Sequence, residues 1–218
     1  MLDNVFIEPT EPAKYAVLWF HGLGADGNDF APVGHELLRI TKLPIRFIFP
    51  HAPERPVTLN NGYIMRAWYD IVGLDMSSRE DRLGLDEISH KVGEMIKHQI
   101  KRGIPANKIF LGGFSQGGAV ALYTGLRYSQ TLGGIIGLST YLPFKDHLLA
   151  EKHPENQNTP IFLAHGTQDQ VIPPEWAILS KEALEKTKHS VTFHTYPMPH
   201  SVCSDEVETL GKWMKAIL

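Results

Sequence analysis

The stretch Lys108-Ile109-Phe110-Leu111-Gly112-Gly113-Phe114-Ser115-Gln116-Gly117-Gly118-Ala119 decides how this chain is read. It begins with a short run of strand character, and from Ala119 to Leu126 it continues as a helix start rich in small residues. Between the two, Gly113-Phe114-Ser115-Gln116-Gly117 has G-x-S-x-G spacing. In such a strand-to-helix turn the glycines give steric room and the serine hydroxyl is pushed out over the sheet. Ser115 is therefore a candidate nucleophile; the competing reading is a plain glycine-rich turn.

Working outward, short apolar runs rich in Val, Ile, Leu and Phe recur at Tyr15 to Phe20, Ile45 to Phe49, Lys108 to Leu111, Gly134 to Leu138, Ile161 to Ala164 and Val191 to Tyr196. Most are too continuous for one-sided exposure, as expected of parallel strands covered by helices on both faces. Leu85, Ile88, Val92, Ile96 and Ile100 follow helical spacing and end at Lys101-Arg102-Gly103, and a similar stripe runs from Val207 to Leu218. Strand and helix alternate, which predicts an α/β fold with a mostly parallel central sheet flanked by helices. At 218 residues, with no linker or repeat, one domain over 1–218 is expected. The exception to the alternation is Pro50 to Arg82, with three prolines and the turn Asn60-Asn61-Gly62. It reads as an irregular binding loop or lid.

Composition excludes several classes. With 43% hydrophobic and 21% charged residues the chain is neither disordered nor collagen-like, and a net charge of −3 without a basic block gives no footprint for nucleic acid. The longest apolar run, Ala16 to Phe20, falls far short of the roughly 18 residues of a membrane span. The N-terminus lacks the basic and apolar regions of a secretory signal, and one cysteine, Cys203, allows no internal disulfide; a cytoplasmic site is the expectation. The eleven histidines include no i, i+4 pair with an intervening glutamate, so neither a metal nor a cofactor is expected. Gly22-x-Gly24-x-x-Gly27 matches a dinucleotide fingerprint formally, but the next strand closes with Phe49-Pro50-His51 and no acidic residue.

A serine nucleophile needs a base, itself oriented by a carboxylate. Asp169 follows the strand Ile161 to Ala164 on a loop, whereas Asp146 begins a stretch that reads as a helix start. Of the later histidines, His194 falls inside a strand and His189 at a helix end beside lysines, where a solvated ring is expected. His200 follows the last strand on a loop and is the candidate base. Two backbone N–H groups should form an oxyanion hole: that of Gln116, directly after the serine, and one from the loop His21-Gly22-Leu23-Gly24, assigned to Leu23. His21, His51 and His165 are read as fixing loops locally, and Cys203 as a packed helix-start residue.

Taken together, His21-Gly22-Leu23-Gly24-Ala25-Asp26, Arg46 to Pro50 with Ala52-Pro53, Ala67-Trp68-Tyr69-Asp70-Ile71, Gly113 to Gly118, His165-Gly166 with Asp169, and His200 resemble the phospholipase/carboxylesterase family of α/β-hydrolases over nearly the whole chain. Within it, Arg55 to Thr58 and Leu138 to Tyr141 resemble the bacterial carboxylesterase branch, related to the acyl-protein thioesterases. The resemblance implies an α/β-hydrolase fold without a separate cap domain and a triad of Ser115, Asp169 and His200 with donors Leu23 and Gln116. It also implies an apolar acyl site bordered by Leu59, Met65, Trp68, Tyr69 and Leu74. Pro199 stands where relatives often carry glycine before the histidine. The expected activity is hydrolysis of small short- to medium-chain carboxylic esters through an acyl-enzyme. A thioesterase or lysophospholipase using the same triad is the first alternative, and a non-catalytic binding protein on the same fold is a remote one. The aromatic segment at Trp68-Tyr69 leaves open a peripheral membrane contact or a homodimer.

Overall fold

The computed structural model describes residues 2–73 and 80–218. Its main sheet is built from β1 (Asn4–Ile7), β2 (Tyr15–Phe20), β3 (Ile45–Pro50), β6 (Ile109–Phe114), β7 (Gly134–Leu138), β8 (Ile161–Gly166) and β9 (Val191–Tyr196), in the spatial order β1-β3-β2-β6-β7-β8-β9. All neighbours are parallel except β1, which runs antiparallel to β3. Six of these strands coincide with the apolar runs of the sequence. β1 was not foreseen, because Asn4-Val5-Phe6-Ile7 is too short to show a period and, at the sheet edge, leaves Phe6 exposed.

Each central strand is buried on both sides. Ala16, Leu18 and Phe20 of β2 enter one core with α2 (Arg82–Lys101), α3 (Gln116–Arg127) and Leu184 of α5 (Pro174–Lys186). Val17 and Trp19 enter the other, with Leu37 of α1 (Ala31–Thr41) and Val207, Leu210 and Met214 of α6 (Ser204–Ile217). Side chains of a strand alternate between faces, so two helix layers require apolar residues at every strand position. No separate cap domain stands over the sheet among the described residues.

The stretch expected to be irregular contains a hairpin, β4 (Glu54–Val57) antiparallel to β5 (Tyr63–Arg66). Asn61 and Gly62 adopt φ of 55° and 76°, the left-handed conformation that asparagine and glycine tolerate, and this closes its turn. Pro56 is compatible with a two-stranded ribbon, which leaves one edge of each strand unpaired. The region closes into α2, which starts at Arg82, earlier than its apolar stripe, because the Asp81 side chain accepts from Gly84 N at 2.9 Å and caps it. A short helix, α4 (Leu148–Glu151), follows a 3-10 turn at Lys145–His147. Asp146 lies in that turn, in line with its reading as part of a helix start, and ion-pairs with Lys145 at 3.2 Å.

His189 departs from its expected solvated state. It is buried, Thr187 Oγ1 lies 2.8 Å from its Nδ1, and burial lowers its pKa. The turn that ends α5 holds it there, His189 N donating to Leu184 O at 3.0 Å, an arrangement that its lysine neighbours in sequence do not reveal.

Glu206 is fully buried at the third position of α6, from which a glutamate ordinarily reaches back to the N-cap amide. Neither carboxyl oxygen has a hydrogen-bond partner among the described residues. Burial pushes its pKa up to about 8 and outweighs the nearby Cys203 amide, which acts the other way. The folded chain thus binds a proton that the unfolded chain releases near its ordinary value of 4.5. Stability from this group is fully present below pH 4.5 and is lost as the pH rises through about 8. Glu206→Gln is expected to raise the thermal midpoint at pH 9 and to flatten its decline between pH 6 and 9, a difference worth on the order of a few kcal/mol. Parallel melting curves for the two proteins across this range would contradict the assignment.

Candidate active site

In the spatial order of the sheet, the chain moves outward from β2 to β3 on one side and returns through β6 on the other. Ligands of open parallel sheets bind beyond the carboxyl ends of the strands at such a reversal. The β2–β6 ladder ends at the pair Phe20–Gly113. Over the next three residues the two strands deliver His21-Gly22-Leu23 and Phe114-Ser115-Gln116 side by side.

Ser115 has φ 52° and ψ −121°, a left-handed backbone that costs a side-chain-bearing residue about 1–3 kcal/mol and survives only where its surroundings enforce it. Here Ser115 N donates to Leu138 O at 2.9 Å, Thr140 Oγ1 donates to Ser115 O at 2.7 Å, and Ala119 N donates to the same carbonyl at 3.1 Å. A Cβ on Gly117 would fall 2.0 Å from Phe20 O, so only glycine lets α3 start this close to β2. Thr140 is the brace that residue-by-residue reading missed; the chemistry of a threonine after a strand gives no sign of which carbonyl it will meet.

His200 Nδ1 lies 2.7 Å from Asp169 Oδ2, the aspartate side chain being fully buried and the histidine 17% exposed. Asp169 Oδ1 accepts from Val171 N and Ile172 N, both at 2.9 Å, and His165 Nε2 stands 3.3 Å from Oδ2 and 2.8 Å from Ile172 O. Donation to that carbonyl places the proton of the neutral ring on His165 Nε2 and uses it there, so His165 packs against the carboxylate while His200 is the ring hydrogen-bonded to it. The two loops are held by Thr167 N to Tyr196 O at 2.8 Å and Gln168 N to Met198 O at 3.1 Å. A Cβ on Gly166 would stand 2.3 Å from Met198 O, so this approach also requires glycine. The His200 ring packs on Phe114 at 4.7 Å between centroids. With Nδ1 committed to Asp169, Nε2 is the nitrogen left for the cavity.

Ser115, Gln116, His200 and Leu23 line one cavity of about 250 Å³, together with apolar walls from Leu59, Ile71, Phe114, Val171 and Ile172. A second cavity of about 270 Å³ adjoins it and shares Ile71 and Tyr141. Of the residues assigned to the acyl site, Leu59 is in the wall of the first cavity and Tyr69 borders only the second. Met65 is part-buried beside Gly24, and Leu74 lies outside the described residues. Trp68 and Tyr69 are 1% and 2% exposed, so their own rings are not available as a surface for a membrane or a second copy. Trp68 Nε1 donates to His21 O at 2.8 Å and Tyr69 Oη pairs with Tyr141 Oη at 2.8 Å, which shows why both rings turn inward. Among the described residues, the exposed apolar side chains of this region include Tyr63 and Ile64 on the hairpin and Val72.

His21 is buried under the loop. Ala52 N donates to its Nε2 at 3.1 Å and its Nδ1 meets Gly22 O at 2.8 Å, an arrangement satisfied by the neutral ring protonated on Nδ1. Burial lowers its pKa to about 4. Among the described residues no three His, Cys, Asp or Glu side chains gather to hold a metal, and no helix is long and apolar enough to cross a membrane.

Comparison with known proteins places this geometry in context. The model of the family described as Phospholipase/Carboxylesterase matches residues 2–218. Acyl-protein thioesterase 1 of Yarrowia lipolytica is 40% identical over 213 residues, covering 94% of this chain and 94% of that protein. Among solved structures, SOBER1 of Arabidopsis thaliana superposes with a TM-score of 0.88 at 32% identity, covering 94% of this chain and 99% of that one. Acyl-protein thioesterase 2 of Zea mays gives 0.87 at 29%, covering 100% and 99%.

Because protonation of His21 would break the Ala52 bond, its lowered pKa makes the fold lose stability as the pH falls from 6.5 towards 4, a contribution of about 3 kcal/mol. A nitrogen-15 NMR titration should show this ring neutral and protonated on Nδ1 at pH 5. A ring that titrates at its ordinary 6.5 would contradict the arrangement.

Proposed function

The chain belongs to the phospholipase/carboxylesterase family and is a serine hydrolase, and from that premise we propose that it hydrolyses acyl thioesters by a two-step acyl-enzyme mechanism. The observation that carries this reading is the 40% identity, over almost the full length of both chains, to a protein named acyl-protein thioesterase 1. It displaces small carboxylic esters, the activity expected from sequence, to second place. The site chemistry accepts either leaving atom; the relatives' names favour sulfur.

In the proposed mechanism Ser115 Oγ attacks the thioester carbonyl carbon while His200 Nε2 takes its proton. Asp169 holds the ring through Nδ1 and stabilises the imidazolium. Negative charge on the carbonyl oxygen is met by the N–H groups of Leu23 and Gln116. Collapse of the tetrahedral adduct breaks the carbon–sulfur bond, and His200 returns the proton to the departing thiol. Water then attacks the acyl-serine with His200 again as base, releasing the acid and restoring the hydroxyl. The apolar walls at Leu59, Ile71, Val171 and Ile172 suit an acyl chain, which gains about 0.8 kcal/mol for each buried methylene.

A fluorophosphonate probe should label the wild type and not Ser115→Ala, whose kcat should fall by at least about 10⁴-fold, as should that of His200→Ala. Equal labelling of both proteins would remove Ser115 from its role. In a panel of a palmitoyl-thioester peptide, a lysophospholipid and nitrophenyl esters from acetyl to palmitoyl, the highest kcat/KM is expected on the thioester. A higher value on short esters would restore the carboxylesterase reading.

A further inference from the structure

The β2–β6 ladder stops at Phe20–Gly113, before either proposed oxyanion donor. Beyond that pair nothing in the sheet fixes the distance between the loop bearing Leu23 and the turn bearing Gln116, yet such donors must be placed to within about 0.5 Å to act as a preorganised pair. The connection is made by a third segment, Arg66 to Tyr69. The Gln116 side chain faces it as a strand would: Trp68 N donates to Oε1 at 3.0 Å and Nε2 donates to Tyr69 O at 2.8 Å. Trp68 in turn reaches the other loop, its Nε1 donating to His21 O at 2.8 Å and its ring lying 4.8 Å from the His21 ring. Two residues earlier, Arg66 O accepts from Gly24 N at 2.9 Å, so Leu23 is flanked on both sides by bonds to this segment.

We propose that the side chains of Gln116 and Trp68 are positioning residues for the oxyanion hole, joining the serine turn to the His21–Gly24 loop through one hydrogen-bonded circuit. The inference rests on the proposed function, which supplies the oxyanion, and assigns Gln116 two separable tasks: its backbone N–H meets the developing charge, and its amide group sets where the opposite donor stands. Trp68 correspondingly acts beneath the site and touches no substrate. Gln116, Trp68 and His21 are each at most 2% exposed. In that setting the loss of one partner leaves the other group unsatisfied, so the circuit is a rigid link. An apolar side chain at 116 would keep the backbone donor and lose the link; Trp68→Phe would keep the aromatic packing on Phe20, now 5.4 Å between centroids, and lose the bond to His21 O.

The test compares wild type with Gln116→Met, Gln116→Glu and Trp68→Phe, using Ser115→Ala as reference. The glutamate variant preserves shape and the acceptor for Trp68 N, and removes the donor to Tyr69 O. It carries the test if the methionine variant fails to fold, as judged by its melting curve. Each folded variant is expected to lose about 10- to 100-fold in kcat with KM changed by less than about threefold. Affinity for an alkyl boronic acid, whose tetrahedral serine adduct fills the oxyanion hole, should fall by the same factor as kcat. Hydrogen exchange at residues 21–24 should quicken in every variant, although these residues lie far from positions 116 and 68 in sequence. Unchanged exchange there, or unchanged kcat and boronate affinity in a folded variant, overturns the circuit. Loss of activity shared equally between kcat and KM, in step with the melting temperature, would reduce it to ordinary stability. Wild-type turnover by Ser115→Ala would instead refute the proposed nucleophile, while the exchange measurement still decides whether the loops are coupled.

Discussion

The parallel register of β2 against β6 is the constraint on which the site depends. Phe20 opposite Gly113 brings two strand ends level, so that the loops leaving them emerge together above the sheet. A slip of one residue would turn Ser115 away from the cavity, because successive strand residues face opposite sides. The register is secured from both faces, with Leu18 and Phe20 in one core and Val17 and Trp19 in the other. It is secured again where α3 begins, since Gly117 sits against the Phe20 carbonyl at a distance that no other residue permits. Strain at Ser115 is thus held by packing far larger than its own cost.

The second junction, between the loops after β8 and β9, works by different means. Instead of a ladder, it uses a buried carboxylate that gathers donors from two loops: the Val171 and Ile172 amides on one oxygen and the His200 ring on the other, with His165 held against it by Ile172 O. A buried charge with this many donors is compensated where it stands, whereas an unpaired one would be strongly unfavourable. Asp169 therefore shapes the loop that carries it as well as facing His200. His165 and His21 play matching parts on the two sides of the cavity, each a buried ring held neutral by burial and bonded to backbone.

Much of this was legible from local pattern. The apolar runs at Tyr15 to Phe20 and Gly134 to Leu138 match their strands end to end, because a strand buried on both faces needs apolar residues in succession; Val191 to Tyr196 also matches, as a half-buried edge strand rich in β-branched and aromatic residues. Ser115, Asp169 and His200 could each be chosen from neighbours by position after a strand, and the structure brings Asp169 and His200 into contact and sets His200 with Ser115 on one cavity. What failed were statements about cover. Trp68 and Tyr69 in a polar, proline-bearing stretch read as surface aromatics, and His189 beside two lysines read as solvated, yet all three are buried. The hairpin within the same stretch was also missed, since four-residue strands carry too little periodicity to register.

By itself the sequence determined six of the main sheet's strands and their alternation with helices, the strand-to-helix turn at Ser115 and the residue types available for chemistry. Those are local properties: side-chain periodicity, the steric freedom of glycine and the identity of a nucleophile do not wait on distant neighbours. Only the tertiary structure decided that Gln116 would spend its side chain on Trp68 and Tyr69, that Trp68 would reach His21, that Thr140 would brace the serine carbonyl, and that His165 would pack against Asp169 beside His200. Apart from the last, these bonds join groups 25 to 48 positions apart. A side chain's own chemistry states that it will seek a partner; which partner it meets is set by strand order and register, and these exist only once the sheet has formed.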